Sequence, residues 1–178
     1  MPDFRRATPR DIAAVHALVE SAYRGDSARR GWTHEADLLG GQRTDAQEIA
    51  ALIADPAHYL MLMGDGAALV GCADIADRGG GLAYLGMLSI APGRQAGGLG
   101  KALIAAAERV AAQHFHARTV EMTVIRQRTE LIAYYARRGY ALTGETRPFP
   151  YGDARFGDPR RDDLDFVVLA KPLTSPAV

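Results

Sequence analysis

The amino-acid sequence predicts a mixed α/β fold, of the α+β type, in which helices cover a central sheet. Some segments alternate apolar and polar residues, as strands do, whereas others repeat apolar residues at helical spacing. The predicted elements follow in the order strand, two helices, three strands, helix, strand, helix, two strands. A glycine-rich stretch joins one buried strand directly to the next helix. This order indicates about seven strands and about four helices packed in layers.

Two helices are predicted in the first third of the chain. Thr8 and Pro9 suit the start of the first helix, and apolar residues then recur at helical spacing as far as Ala22. Residues 44–47 match a capping box that begins a short second helix, which residues 55–56, Asp-Pro, end.

The remaining elements follow from alternation and turn residues. Two apolar runs within residues 58–76 flank Gly-Asp-Gly, which predicts a hairpin. The later segments are a strand at 82–90, a helix at 98–113, a strand at 119–124, a helix at 129–138, and strands at 140–146 and 164–171.

Composition limits the classes of function. A chain of 178 residues, 48% apolar and 24% charged, is typical of one soluble domain, so we expect residues 1–178 to form a single domain. Lys plus Arg equals Asp plus Glu at 21 each, which predicts no nucleic-acid or membrane partner. No apolar run has the length of a signal peptide or membrane span, and the single cysteine, Cys72, forms no internal disulfide. A cytoplasmic location is expected.

A metal site is not predicted. The 5 histidines share no metal-ligand spacing with acidic or thiol partners.

Residues 88–101, LSIAPGRQAGGLGK, form the glycine-rich junction between strand and helix. Small residues let the backbone approach a ligand, and free amides at a helix N-terminus favour an anion such as phosphate. Glycine is unfavourable in a helix by up to about 1 kcal/mol. Gly98 and Gly100 therefore indicate a ligand site at this helix start.

Two other phosphate motifs do not fit this junction. A P-loop requires Ser or Thr after Gly-Lys and a glycine at the position of Gln95, but Ala102 follows Lys101. A dinucleotide fingerprint requires a third glycine where Leu103 stands.

The pattern Gln-x-x-Gly-x-Gly at residues 95–100, after an apolar strand and a proline, resembles the pyrophosphate-binding motif of the GNAT superfamily of acyl-CoA-dependent N-acetyltransferases. Ala96 departs from the glycine that is frequent at its position. The resemblance implies that the strand end and the turn bind the coenzyme through Leu88, Ser89, Ile90, Gln95, Ala96, Gly97, Gly98, Leu99, Gly100 and Lys101.

A second match lies in residues 128–140, RTELIAYYARRGY, which resemble the GNAT helix whose tyrosine precedes a Gly-aromatic pair. Tyr135 stands four residues before Gly139, at the family's tyrosine position. The resemblance implies that Tyr135 is catalytic, as the general acid that protonates the departing CoA thiolate. Arg128 stands near a position where the family often has Asn, a side chain that commonly contacts the coenzyme.

The resemblance, which extends from about Phe4 to Leu173, implies a mostly antiparallel sheet, acetyl-CoA as acyl donor and no metal. It also implies direct acetyl transfer to an amine, on a small molecule or a peptide, in a ternary complex. Two alternatives stay open: a CoA-binding regulatory or structural module without turnover, and a transferase of a longer acyl group.

The acceptor is expected between residues 32–43 and the long connection at 147–163. Connections longer than about 12 to 15 residues are uncommon unless functional or disordered, and the aromatic residues here argue against disorder. A homodimer contact is the alternative use of this connection. The candidate acceptor residues are Trp32, Glu35, Tyr84, Tyr151 and Asp153.

The general base stays open. Residues 82–87 carry no carboxylate, although some protein-lysine acetyltransferases of the family place a glutamate there. Water, Tyr84 or a residue of the acceptor loops remain candidates.

Overall fold

The computed structural model describes residues 1–24 and 35–174. Within these ranges the strands are β1 (Asp3–Arg6), β2 (Leu39–Gly40), β3 (His58–Asp65), β4 (Ala68–Asp77), β5 (Leu82–Ile90), β6 (Thr119–Ile125), β7 (Ala141–Pro148), β8 (Asp158–Pro159) and β9 (Asp165–Pro172). The helices are α1 (Ile12–Tyr23), α2 (Ala46–Ala54), α3 (Leu99–His114) and α4 (Thr129–Ala136).

Seven strands form one sheet in the order β1-β3-β4-β5-β6-β9-β7, and β2 pairs separately with β8. Neighbouring strands run antiparallel except β5 and β6, which are parallel. The predicted mixed, mostly antiparallel sheet of about seven strands with four helices is therefore confirmed.

The helices begin close to where the sequence predicts them, with one local difference. Asp45, not Thr44, caps α2, because its carboxylate accepts a hydrogen bond from the Glu48 N–H at 2.7 Å. The Thr44 hydroxyl donates to the Glu48 carboxylate at 2.6 Å instead. Among the helices of the two described ranges, none is long and apolar enough to cross a membrane.

Helices cover both faces of the sheet. Apolar residues of α3 and α4, including Leu103, Ile104 and Leu131, pack on one face with Met61 and Val120. Residues of α1 and α2 pack on the opposite face of the sheet, in a cluster that contains Val15, Val19, Ile49, Leu60, Leu62 and Cys72. The interior of the sheet is thereby shielded from water on each side.

The parallel strands β5 and β6 separate along their length. They pair only through residues 82–84 of β5 and residues 119–121 of β6. On its other side, β5 shifts register against β4 between Cys72 and Asp74, and Met87 takes a left-handed conformation with φ 51°. A non-glycine residue in this conformation is uncommon, and together with the register shift it marks a β-bulge. An opening results between the C-terminal halves of β5 and β6.

Candidate active site

Two adjoining cavities fill this opening. The larger, about 160 Å³, contains the charged side chains of Arg24, Glu35, Arg43 and Arg128 in its wall, and we call it the arginine cavity. The smaller, about 70 Å³, runs along Ser89, Ile90, Gln95, Gly100 and Tyr134, and we call it the glycine groove. Residues shared by both walls are Tyr23, Leu88, Arg128, Leu131 and Tyr135. The two cavities therefore meet beside Tyr135.

The glycine turn enters α3 through two residues in left-handed conformations. Gly97 has φ 89° and Gly98, the N-cap residue of α3, has φ 80°. Only glycine adopts such a conformation without strain. No side chain caps this helix end and its first turn has no acidic residue, so within the described chain its amides remain available to an anion.

Gly100 is required for a different reason. A Cβ atom at this position would lie 2.5 Å from the hydroxyl oxygen of Tyr134 on α4. The side chain of Tyr134 thus packs directly on the first turn of α3. The sequence indicated that both glycines let a ligand approach. The structure adds a second reason for each, the backbone conformation at Gly98 and the packing against Tyr134 at Gly100.

The predicted coenzyme residues fall into two groups. Leu88, Ser89, Ile90, Gln95 and Gly100 line the glycine groove. The others occupy the turn and the first turn of α3 without lining the groove: Ala96, Gly97, Gly98, Leu99 and Lys101. Their contact with a coenzyme stays a prediction.

Tyr135 lies where the cavities meet, with 6% of its surface exposed. Burial raises the pKa of its phenol well above the usual range, and nearby Tyr23 adds to this while Arg128 opposes it. The hydroxyl therefore stays protonated at neutral pH and can donate a hydrogen bond or a proton.

Tyr23 was not found by sequence analysis. Its hydroxyl donates a hydrogen bond to the Leu88 carbonyl oxygen at 2.6 Å. This bond fastens the end of α1 to β5, immediately after the bulge. No sequence signal distinguishes Tyr23 from a core residue, because it continues the apolar face of α1.

A buried ion cluster forms one wall of the arginine cavity. Glu35 pairs through one carboxylate oxygen with the Nη1 atom of Arg24 and through the other with Nη1 of Arg128 at 3.2 Å. Burial opposes the ionised form, but the guanidinium groups of Arg128, Arg24 and Arg43 outweigh it and hold the pKa of Glu35 below its usual value. Glu35 lines the cavity, and its contact with an acceptor stays a prediction. As a charged partner of arginines it is poorly suited to act as a base.

Tyr84, another candidate acceptor residue, also lines the cavity. Its hydroxyl and that of Thr123 on β6 lie 2.6 Å apart, within hydrogen-bond distance. The guanidinium carbon of Arg78 lies 5.0 Å from the centre of its ring. Tyr84 therefore bridges the two strands where their pairing ends.

The other predicted acceptor residues lie elsewhere. The Tyr151 hydroxyl donates to the Arg161 carbonyl at 3.0 Å and accepts from the Leu164 N–H at 2.8 Å, so it holds the long connection together. The Asp153 carboxylate caps the short 3-10 turn Ala154–Phe156. Neither lines the arginine cavity. Trp32 lies outside the described residues.

The long connection reaches the cavity through other side chains. Phe149 and Phe156 line it, together with Phe166 on β9. The connection at 147–163 therefore borders the arginine cavity, but through Phe149 and Phe156 rather than through the predicted Tyr151 and Asp153. The aromatic character of the connection gave the signal, but sequence alone did not show which ring faces inward.

The described residues of this site provide neither a cluster of metal ligands nor a reactive cysteine. Across residues 1–24 and 35–174, no group of three or more His, Cys, Asp or Glu side chains is arranged to hold a metal ion. Cys72 is fully buried on the α1 face, and burial raises the pKa of its thiol to about 12.

Comparisons with known proteins agree on one family. Residues 14–140 match the model of the Acetyltransferase (GNAT) family. The structure is similar to that of the ribosomal-protein-S18-alanine N-acetyltransferase from Escherichia coli, with a TM-score of 0.70 at 15% identity over 99% of this chain and 97% of that one. No curated protein sequence matches the chain significantly.

Two further solved structures show the same fold. YncA from Salmonella typhimurium, a proposed acetyltransferase solved with its cofactor acetyl-CoA, has a TM-score of 0.68 at 15% identity over 100% of this chain and 97% of that one. A variant of the spermidine N-acetyltransferase SpeG from Vibrio cholerae has a TM-score of 0.68 at 14% identity over 96% and 93%.

Proposed function

The chain belongs to the acetyltransferase (GNAT) family, and on that premise we propose that it transfers an acetyl group from acetyl-CoA to an amine by direct attack. The observation that carries this proposal is the meeting of the two cavities at Tyr135. A donor in the glycine groove and an acceptor in the arginine cavity would come together at one point. Such an arrangement suits a ternary complex, because both reactants are held in place at once.

The glycine groove has features that suit a coenzyme with a pyrophosphate. Gly97 and Gly98 shape an uncapped helix start whose amides favour phosphate. The edge of β5 beyond Tyr84 has no ladder to β6, which leaves backbone groups for an extended arm to pair with. Acetyl-CoA supplies a thioester, whose carbonyl carbon the amine attacks.

Direct transfer is preferred to a covalent acyl-enzyme. Cys72 is a poor nucleophile because burial raises its pKa to about 12. The buried Ser89 hydroxyl donates to the Met87 carbonyl at 3.1 Å. Neither has an adjacent histidine base within the described residues, which an activated nucleophile would require.

In the proposed reaction the amine nitrogen forms a bond to the thioester carbon, and the carbon–sulfur bond breaks. The nitrogen loses a proton to solvent, and the sulfur leaves as a thiolate that must gain one. Tyr135 is the proposed proton donor, because it lies at the junction and its hydroxyl stays protonated at neutral pH. Transfer from so weak an acid requires hydrogen bonding that begins as the sulfur departs, and Arg128 nearby favours the resulting phenolate.

The test is release of free thiol from acetyl-CoA across a panel of amino acids, polyamines, aminoglycosides and peptides. The expected result is amine-dependent release, with double-reciprocal plots that intersect when both substrates are varied. Parallel lines would contradict direct transfer. Tight CoA binding without release on any amine would favour a regulatory CoA-binding module.

The length of the acyl group is tested separately. Competition between acetyl-CoA and longer acyl-CoA molecules, measured by calorimetry, should favour the acetyl form, because the junction of the cavities is enclosed by Tyr23, Leu131 and Tyr135. Stronger binding and faster turnover of a longer acyl-CoA would replace acetyl transfer by transfer of that group.

A further inference from the structure

The walls of the arginine cavity carry more positive than negative charge. Three guanidinium groups, of Arg24, Arg43 and Arg128, line it against a single carboxylate, Glu35, among the described residues. Both oxygens of that carboxylate are already engaged, one by Arg24 and one by Arg128. The charge of Arg43 is therefore left without a direct counterion in the cavity wall.

The backbone of Arg43 is fixed by Glu20, and its guanidinium lies over the ring of Tyr23. The Glu20 carboxylate accepts hydrogen bonds from the N–H groups of Arg43 at 2.6 Å and Thr44 at 2.8 Å. The guanidinium carbon of Arg43 lies 5.2 Å from the centre of the Tyr23 ring. No carboxylate of residues 1–24 or 35–174 lies within ion-pair distance of this guanidinium, although the charges of Glu35 and Glu48 act on it from farther away.

Burial disfavours the charge of Arg43, but Tyr23, Glu35 and Glu48 outweigh it and raise the pKa of the guanidinium, which therefore stays charged. A planar guanidinium matches the two oxygens of an oxyacid. Much of the remaining wall is apolar, with Leu39, Ile125, Phe149, Phe156 and Phe166. The hydroxyl-bearing residues Tyr84, Thr123 and Tyr135 also line it. Its volume of about 160 Å³ is comparable to cavities of about 150 Å³ that hold benzene. A small molecule with one anionic end and one apolar body matches these features.

We infer that the acceptor is a small primary amine that also carries an oxyacid group, a carboxylate or a phosphonate, and that Arg43 binds that group. This inference rests on the proposed acetyl transfer. The amine would point toward Tyr135 at the junction, the oxyacid group toward Arg43, and the apolar body toward the phenylalanine rings.

The experiment compares matched acceptors that differ only in the anionic group: phenylalanine, its phosphonate analogue and phenethylamine, with spermidine as a cationic acceptor. For each we measure kcat/KM by thiol release, with the wild-type protein and with Arg43→Met, Arg43→Lys and the exposed control Arg10→Met. Ratios between variants cancel the intrinsic reactivity of each amine. Thermal unfolding and CoA affinity of each variant report on its folding and on the glycine groove.

The wild-type protein should prefer an anionic acceptor over phenethylamine by about 10-fold to 100-fold, the range of a charge-assisted hydrogen bond. Arg43→Met should lower kcat/KM much more for the anionic acceptors than for phenethylamine, so that the preference disappears. Arg43→Lys should retain part of the preference. Comparison of phenylalanine with its phosphonate analogue shows which of the two oxyacid groups the protein prefers. Arg10→Met should match the wild type.

Two results would overturn the inference while leaving acetyl transfer intact. One is wild-type turnover of phenethylamine or spermidine equal to or above that of both anionic acceptors. The other is an equal loss for charged and uncharged acceptors in a folded Arg43→Met protein, which would make Arg43 a structural residue. Absence of thiol release with every amine would instead count against the proposed function itself.

Discussion

The glycine groove and the arginine cavity meet at Tyr135, but the chain builds them in different ways. Five of the residues that line the groove come from one continuous segment, residues 88–100, and residues of α1 and α4 complete its wall. The cavity takes its charged residues from sites far apart in sequence, at Arg24, Glu35, Arg43 and Arg128.

The properties of the glycine groove depend mainly on the backbone, whereas those of the arginine cavity depend on side chains. Backbone amides and left-handed glycines give the groove its properties, so they restrict which residues can occupy the turn. Side chains that converge from distant elements leave no fixed spacing in the sequence. We therefore expect related chains to vary less in the glycine turn than in the arginine cavity.

Replacement of Tyr135, one of the five residues that line both cavities, should have the largest effect. Tyr135→Phe keeps the ring and its packing but removes the hydroxyl, so turnover should fall by about a hundredfold to ten-thousandfold while CoA affinity changes little. Tyr59→Phe on β3, outside both cavities, is the control. Undiminished turnover, where acetyl transfer limits the rate, would show that water or another group protonates the thiolate.

The neighbouring tyrosine, Tyr134, is unsuitable as the control for Tyr135→Phe. Its hydroxyl packs against Gly100 in the groove, so Tyr134→Phe would itself alter the groove.

The next effect concerns stability on the cavity side. Glu35→Gln leaves Arg24 and Arg128 buried without their shared anion, which should lower the free energy of unfolding by about 3 kcal/mol at pH 7. The exposed Glu130→Gln, at 4.0 Å from Arg128, should change it by less than about 1 kcal/mol. Urea denaturation compares the two.

The pH dependence of this difference follows from the direction of the shift. The pKa of Glu35 is lowered in the folded protein, so its contribution is present above the unfolded pKa of about 4.3 and is lost as pH falls through the lower folded value. The gap between Glu35→Gln and wild type should therefore narrow below about pH 4. A difference in the free energy of unfolding that grows as the pH falls would contradict the pairing of ionised Glu35 with Arg24 and Arg128.

A smaller effect is expected on the groove side. Gly100→Ala should cost about 1 to 3 kcal/mol of stability through overpacking against Tyr134. Adding Tyr134→Phe should restore stability, while CoA affinity should stay about tenfold lower if the coenzyme approaches the Gly100 backbone. Gly93→Ala, where a Cβ meets no atom within 4 Å, is the control. Full recovery of affinity in the double variant would mean that Gly100 serves packing alone.

The smallest expected effect concerns the pH dependence of kcat, to which Tyr135 should contribute no alkaline loss. Because burial raises the pKa of Tyr135 above that of a free phenol, its acid form persists, and no loss of kcat due to this residue should occur up to about pH 10. A pH–rate profile tests this. A descending limb below that pH, shared by wild type and absent from Tyr135→Phe, would contradict the buried phenol.

The order of elements, the glycine-rich junction between β5 and α3, and the family were predictable from sequence, because periodicity and turn chemistry are local. The position of Tyr135 beside the groove followed from the family motif. Arg43 and Tyr23 were not predictable, since their roles depend on contacts with Glu20 and Leu88 across the fold. Tyr151 and Asp153 carried the right chemistry, but hydrogen bonds within their own connection engage them.

The separation of β5 from β6 also bears on self-association. A strand edge with free backbone groups is normally a hazard, since other chains can pair with it and aggregate. Here the free edges face each other across cavities of about 160 and 70 Å³ in the interior of the sheet, rather than outward at its rim. The protein thus keeps unpaired backbone groups where a slender molecule can reach them and where they are not displayed along an outer edge. Substitutions that widen this opening should promote aggregation before they unfold the sheet.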